Sequence, residues 1–321
     1  MSRTTATHTT ATHTTATHAT VTRTAASRTT ASGVTVPRPA PAAPQGLPAL
    51  GPEGTALLRL LDDTFESWGT DAGARAMTMA PLLPAADLAR LDYYENFPHQ
   101  AVLAAPLDLD RRDEAPFCTE SGSFPCDALQ PAGLGLPSAS CYAVYLHHEG
   151  QQVPDDTLVT VVGWCFRKEE HYEGLRRQLG FRMREIVAIG SQEHAENHLR
   201  GFTERVTAFA EALDLPLRRE AACDPFFDKG GSKALLQRLS PVKHEFLYED
   251  LAIASVNTHR NFFGDRCSIS LADGGPAFTI CVAFGLERWL SALTRRHGNW
   301  AAATDAVRTA VARLAPAGPV T

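Results

Sequence analysis

Leu158-Val159-Thr160-Val161-Val162-Gly163-Trp164-Cys165-Phe166-Arg167-Lys168-Glu169 is the stretch whose reading decides the fold. Its β-branched and apolar run predicts a buried strand, and the run ends abruptly in charge. A loop from Glu169 to Leu179 carries Arg177, and Phe181 follows it. Phe181, Met183, Glu185, Val187 and Ile189 then alternate, so they share one face of an antiparallel partner strand. A third apolar strand, Phe278 to Phe284, runs into Gly285-Leu286-Glu287-Arg288, where a helix begins.

Working outward, Leu57, Leu58, Leu60, Leu61, Phe65 and Trp68 recur at helical spacing. The helix they predict ends near Gly69–Gly73, and a short strand, Ala76 to Ala80, stops at Pro81. A second helix is read over Ala85–Tyr94. Ser140 to Tyr145 reads as the next strand and places Cys141 on it. Ser191 is the expected N-cap of a helix from Gln192 to Leu213. Leu215–Ala222, Lys243–Phe246, Ile253–Thr258 and Arg266–Leu271 are further strand candidates. Strands in runs with few intervening helices give an α+β fold with an antiparallel sheet, not a doubly wound parallel one. Neither a Gly-x-Gly-x-x-Gly nor a phosphate-loop lysine motif occurs.

The N-terminus differs in kind. Residues 1–48 form a Thr/Ala/His/Pro-rich tail and linker, with Thr-Thr-Ala-Thr-His recurring up to His8, His13 and His18. A segment so poor in large apolar groups is expected to stay disordered. Residues 49–321 are expected to form the folded, catalytic domain. With 44% hydrophobic residues the chain can bury a large core, and its net charge of −6 gives no global attraction to nucleic acid. Arg176, Arg177, Arg182 and Arg184 could still form a local basic patch. Seven widely spaced cysteines, an odd number, read as thiols or metal ligands rather than a disulfide framework. No apolar run approaches a membrane span, so the expectation is a cytoplasmic protein with no membrane partner.

The charged segments suit one chemistry. Activating a carboxylate with ATP needs fixed positive charge on the phosphates and a platform for the adenine ring. The Arg-x-Glu strand end, the Arg-x-x-x-Phe return and the distant Gly-Leu-Glu-Arg resemble motifs 2 and 3 of class II aminoacyl-tRNA synthetases. The early helix, strand and proline resemble motif 1. The resemblance implies that Arg167 holds the α-phosphate and Glu169, on the same strand face, orients it or accepts from adenine. It implies that Arg177 reaches the β- and γ-phosphates, Phe181 stacks on adenine, and Glu287 and Arg288 face metal or phosphate. ATP and Mg2+ follow as co-substrate and cofactor, and motif 1 implies a homodimer.

Cys141, Glu185 and Cys281 form a second group. Two thiolates and a carboxylate would leave zinc an open fourth position, but their spacing alone fits buried structural cysteines better. Ser140-Cys141-Tyr142, Phe181-Arg182-Met183-Arg184-Glu185, Asp224-Pro225-Phe226-Phe227 and Phe278 to Arg288 together resemble the amino acid:[carrier protein] ligases. These are homologues of the catalytic domain of zinc-dependent archaeal-type seryl-tRNA synthetases. The resemblance covers roughly residues 50–298. It implies Zn2+ on Cys141, Glu185 and Cys281, gripping a substrate amino group. It also implies that Asn257, with His259 beside it, lines the amino-acid pocket. The chain departs from the family pattern at Lys168, and an aromatic stands in Arg260-Asn261-Phe262-Phe263 where a histidine is expected.

The implied activity is formation of an aminoacyl-adenylate from a small α-amino acid, glycine or alanine in type. Transfer to the phosphopantetheine thiol of a carrier protein would follow. Motif-bearing segments occupy most of the chain after Pro48, which argues against tRNA as acceptor. The alternatives are an adenylating ligase with another acceptor (tRNA, an amine or a small thiol) and a non-catalytic synthetase paralogue. Cys165 is expected in a buried strand, Cys223 and Cys267 near the core, and His147-His148 in a solvated loop.

Overall fold

The computed structural model describes residues 46–111, 123–228, 230–232, 235, 240 and 242–315. The expected disordered tail, to residue 45, and Cys118 lie outside them. Helix α1 (Pro52–Asp71) starts with proline in its first turn and buries Leu57, Leu58, Leu61, Phe65 and Trp68, as the helical spacing requires.

Among the described residues the main sheet has seven strands. These are β1 (Arg75–Met77), β5 (Asp156–Phe166), β6 (Gly180–Gly190), β7 (Leu217–Ala222), β8 (Lys243–Tyr248), β9 (Leu251–Arg260) and β10 (Phe278–Gly285). Their spatial order is β1-β5-β6-β10-β9-β8-β7, antiparallel throughout except for the edge pair β1–β5. A separate three-stranded sheet joins β2 (Leu83–Pro84), β4 (Leu134–Leu136) and β3 (Val102–Ala104). This is the α+β architecture read from the sequence.

Period-two alternation gives the large sheet two unlike faces. Ile186, Val256, Val282 and Phe284 pack against α1, α5 (Gln192–Ala212), α7 (Leu286–His297) and α8 (Trp300–Leu314). The Phe65 ring stacks on Phe284 at 4.1 Å between centroids. Arg184, on this same face, is almost fully buried and bonds Asp62 at 2.7 Å and Glu66 at 2.8 Å, clamping α1 to β6. On the opposite face Val159, Val161, Val187, Ile189 and Cys281 meet α4 (Cys141–His147) and α6 (Phe262–Arg266). Glu185 and Asn257 belong to that second face by parity. Phe65→Ala, which empties the centre of the helical core, is expected to cost about 3–5 kcal/mol in urea unfolding.

Several local expectations are corrected. Ser140–Tyr145 is not a strand: Cys141 opens helix α4, whose Cys141, Val144 and Tyr145 are buried together. Its aromatic and β-branched content reads as strand, but packing against the sheet overrides that propensity. The helix expected over Ala85–Tyr94 breaks into α2 (Ala85–Arg90) and α3 (Tyr93–Asn96) at Asp92, whose φ is +57°. Arg266 bonds the Asp92 carboxylate at 2.7 Å and fixes the break. Arg266–Leu271 is the end of α6 and a loop, with isolated bridges from Ser270 to Gln152 and Pro276. Cys223 is exposed, whereas Cys165 and Cys267 are buried. His148 is buried and its Nδ1 lies 2.8 Å from the Val144 carbonyl, so it is not in a solvated loop. The Ser191 cap holds, its Oγ accepting from His194 N–H at 3.1 Å.

Candidate active site

The second face of the sheet, roofed by α4 and α6, bounds a cavity of about 400 Å³. Cys141, Glu185 and Cys281 lie on its wall, all buried, with ligand atoms within 4.8 Å of one another. Three elements bring them together. Strands β6 and β10 are paired neighbours, with Ala283 opposite Glu185 and Cys281 opposite Val187. Cys141 arrives from above, at the start of α4. Glu185 Oε1 accepts the backbone N–H groups of Ser140 at 2.6 Å and Cys141 at 3.1 Å, which joins the roof to the sheet. Its other oxygen, Oε2, is buried with no hydrogen-bond partner among the described residues.

This set suits a thiophilic divalent cation. A buried carboxylate oxygen lacking a partner is costly, and two thiols plus a carboxylate are zinc-type donors. Burial pushes the Glu185 carboxyl above its ordinary range. A hydrogen bond with Cys281, then burial, holds the Cys141 thiol well above the usual thiol value. Without a cation the cluster therefore retains protons that metal binding would displace.

Asn257, opposite Cys281 on β9, donates through Nδ2 to the Cys281 sulfur at 3.4 Å. His259 lines the cavity beside them, and burial pushes its imidazole down to about 4. The outer wall is made partly by Phe97 stacked on Phe226 at 5.4 Å, and by Lys243, bridged to Asp224 and Glu245. Ser138, Phe97 and Lys243 were not singled out in the sequence. Phe97 and Ser138 flank irregular segments, where no periodicity marks an inward face. The Asp224-Pro225-Phe226-Phe227 segment was the available signal.

A smaller cleft adjoins the cavity and is lined by Arg167, Glu169, Phe181, Glu287 and Arg288. Arg167 lines both spaces. Strand β5 ends at Phe166, so Arg167 and Glu169 stand beyond it rather than on one strand face as expected. Arg167 donates through Nε and Nη2 to the Ser138 carbonyl at 3.2 and 2.9 Å, and its guanidinium lies 5.1 Å from the Phe181 ring centroid. Glu169 bonds Arg177 at 2.9 Å, and Arg177 stands outside the residues lining the cleft. Glu287, buried at the start of α7, accepts Arg182 N–H at 2.8 Å and Arg182 Nε–H at 3.1 Å. Arg288 donates to the carbonyls of Arg176 at 3.0 Å and Ala252 at 3.1 Å, and burial pushes it down to about 10. The local basic patch the sequence allows is neutralised by acidic partners. Arg176, Arg177, Arg182 and Arg184 pair with Asp250, Glu169, Glu287 and Asp62 respectively.

The fold is that of the class II aminoacyl-tRNA synthetase catalytic domain. The structure of M. kandleri SerRS, solved in complex with A. aeolicus tRNASec, superposes with a TM-score of 0.69 at 22% identity. It covers 87% of this chain and 59% of its own, a likeness of fold alone. The amino acid–[acyl-carrier-protein] ligase 1 of Bradyrhizobium diazoefficiens is 33% identical over 240 residues, which is 71% of this chain and 73% of the relative. This chain belongs to the amino acid–[acyl-carrier-protein] ligase family. The type-2 serine–tRNA ligase of Methanocaldococcus jannaschii is 25% identical over 272 residues, 77% of this chain but 52% of that protein. No protein-family model matches the sequence.

Proposed function

We propose that the protein activates a small α-amino acid with ATP and passes the aminoacyl group to the phosphopantetheine thiol of a carrier protein, releasing AMP. The observation that carries this is the position of Arg167 on the wall shared by the Cys141–Glu185–Cys281 cavity and the Glu169–Arg288 cleft. An amino acid in the first and a triphosphate in the second would meet at this guanidinium. In-line attack of the carboxylate builds charge on the α-phosphate, and a guanidinium fixed by Ser138 and Phe181 is already in place to stabilise it.

Cys141, Glu185 and Cys281 would hold zinc, which when bound supplies a Lewis-acidic position for a neutral amino group. Asn257 would border the amino acid. Phe181 would offer its face to adenine, Arg288 would meet the outer phosphates in the cleft, Arg177 would join it on leaving Glu169, and Glu287 positions Arg182. Magnesium would enter with ATP. Residues 49–321 form the catalytic domain in this reading, and motif 1, here α1 and β1, supports a homodimer; light scattering should give twice the chain mass. The pairing of the arginine cluster and the net charge of −6 favour a protein acceptor over tRNA. No helix among the described residues is long and apolar enough to cross a membrane, which is consistent with a cytoplasmic ligase.

The test is amino-acid-dependent ATP–pyrophosphate exchange across the standard amino acids, followed by loading of a phosphopantetheinylated carrier protein. One small amino acid should support exchange and then appear as a hydroxylamine-labile thioester. Exchange with no thioester would reject the acceptor. No exchange with any amino acid would reject the activity.

A further inference from the structure

The ladder between β9 and β10 pairs Ile280 with Thr258 and then Thr279 with Arg260. His259 is the extra residue of this β-bulge. Arg260, next to it, takes a left-handed φ of +54°, a strained choice for a long side chain. Bulges of this kind re-aim a side chain beside a functional site. Here the imidazole spans Thr279 and Cys281, with Nδ1 3.4 Å from Thr279 Oγ1 and Nε2 3.9 Å from Cys281 Sγ. Tyr145 Oη is 3.3 Å from the same Nδ1, and Phe263 meets the ring edge-on at 4.9 Å.

We infer that His259 is a positioning residue for the Cys281 sulfur, donating Nε2–H to it as the second N–H donor beside Asn257. The hydroxyls of Tyr145 and Thr279 both face Nδ1 and can both donate to it. With both hydroxyls taken as the donors at Nδ1, the proton lies on Nε2. With Asn257 Nδ2 at 3.4 Å, the Cys281 sulfur then receives two N–H groups. Such outer contacts orient a ligand and stabilise its thiolate form. The inference rests on the metal reading proposed above.

Zinc affinity, measured by competition with a chromophoric chelator, and the sulfur-to-metal absorption bands of the cobalt-substituted protein provide the test. His259→Leu should weaken zinc roughly 10- to 100-fold and shift the cobalt bands. His259→Gln, which returns an N–H near the Nε2 position, should recover most of both. Asn257→Ala should weaken zinc in the same direction, and His259→Asn, which keeps a polar group near Nδ1 but withdraws the N–H from the Nε2 position, should match the leucine variant and supplies the answer if that variant does not fold. Wild-type affinity and bands in His259→Leu, or equal impairment in the leucine and glutamine variants, would overturn the donor role. A wild-type protein that takes up neither zinc nor cobalt would instead overturn the metal reading itself.

Discussion

Arg167→Ala is expected to lower amino-acid-dependent ATP–pyrophosphate exchange by roughly 10²- to 10³-fold, the usual consequence of removing one preorganised donor from a developing oxyanion. The substitution should leave the fold intact, because the side chain leans on a single carbonyl, that of Ser138, and on the Phe181 ring. Arg167→Lys should recover little. A lysine offers a point charge without the planar fork that grips Ser138 through two nitrogens. The effect should fall on the chemical step more than on amino-acid KM, since the charge stabilised is that of the transition state. An Arg167→Ala protein with unchanged circular dichroism and wild-type exchange would remove Arg167 from the reaction. The same substitution separates the two spaces it borders. Zinc content should not change, because Cys141, Glu185 and Cys281 make their cluster without it.

The parts of this site visible in the sequence are those fixed by strand alternation. Glu185 and Cys281 fall on one face because β6 and β10 are regular and paired, so parity alone places them. Arg167 and Phe181 were visible as the ends of two such strands. What escaped depends on breaks in regularity. Cys141 read as a strand residue, and only packing against the sheet reveals α4. Arg184 read as part of a possible local basic patch, yet its parity points to the helical face, where Asp62 and Glu66 wait on α1. Those partners are distant in sequence, so no local pattern announces the pair. His259 was visible as the neighbour of Asn257 in the stretch the family resemblance places along the pocket. Its alignment with Cys281 rests on a bulge, which adds one residue without a compositional mark.

Glu185→Gln should remove the metal while preserving the protein. The amide oxygen can still accept the Ser140 and Cys141 N–H groups that Oε1 accepts now, so α4 stays docked. A neutral amide is a poor ligand for zinc, and the loss should exceed the roughly 100-fold expected for an outer-shell partner. Elemental analysis after gel filtration should show about one zinc per chain in the wild type and almost none in the variant, an estimate that follows from a single three-ligand site. Stability should respond in a telling way. In the metal-free state the Glu185 carboxyl is buried, its range raised by desolvation, with Oε2 unpartnered. Replacing it by an amide removes the buried ionisable group while the amide NH2 takes the unpartnered place of Oε2, so metal-free Glu185→Gln should melt close to metal-free wild type. Zinc should raise the melting temperature of the wild type alone. It should do so less as pH falls, because Cys141, whose folded thiol is held well above its ordinary value, must give up its proton on binding. If the variant retained zinc, or if zinc stabilised both proteins equally, the cluster of Cys141, Glu185 and Cys281 would not be the metal site. If both failed to bind but exchange activity persisted, the amino group would have to be held by Asn257 and its neighbours without metal.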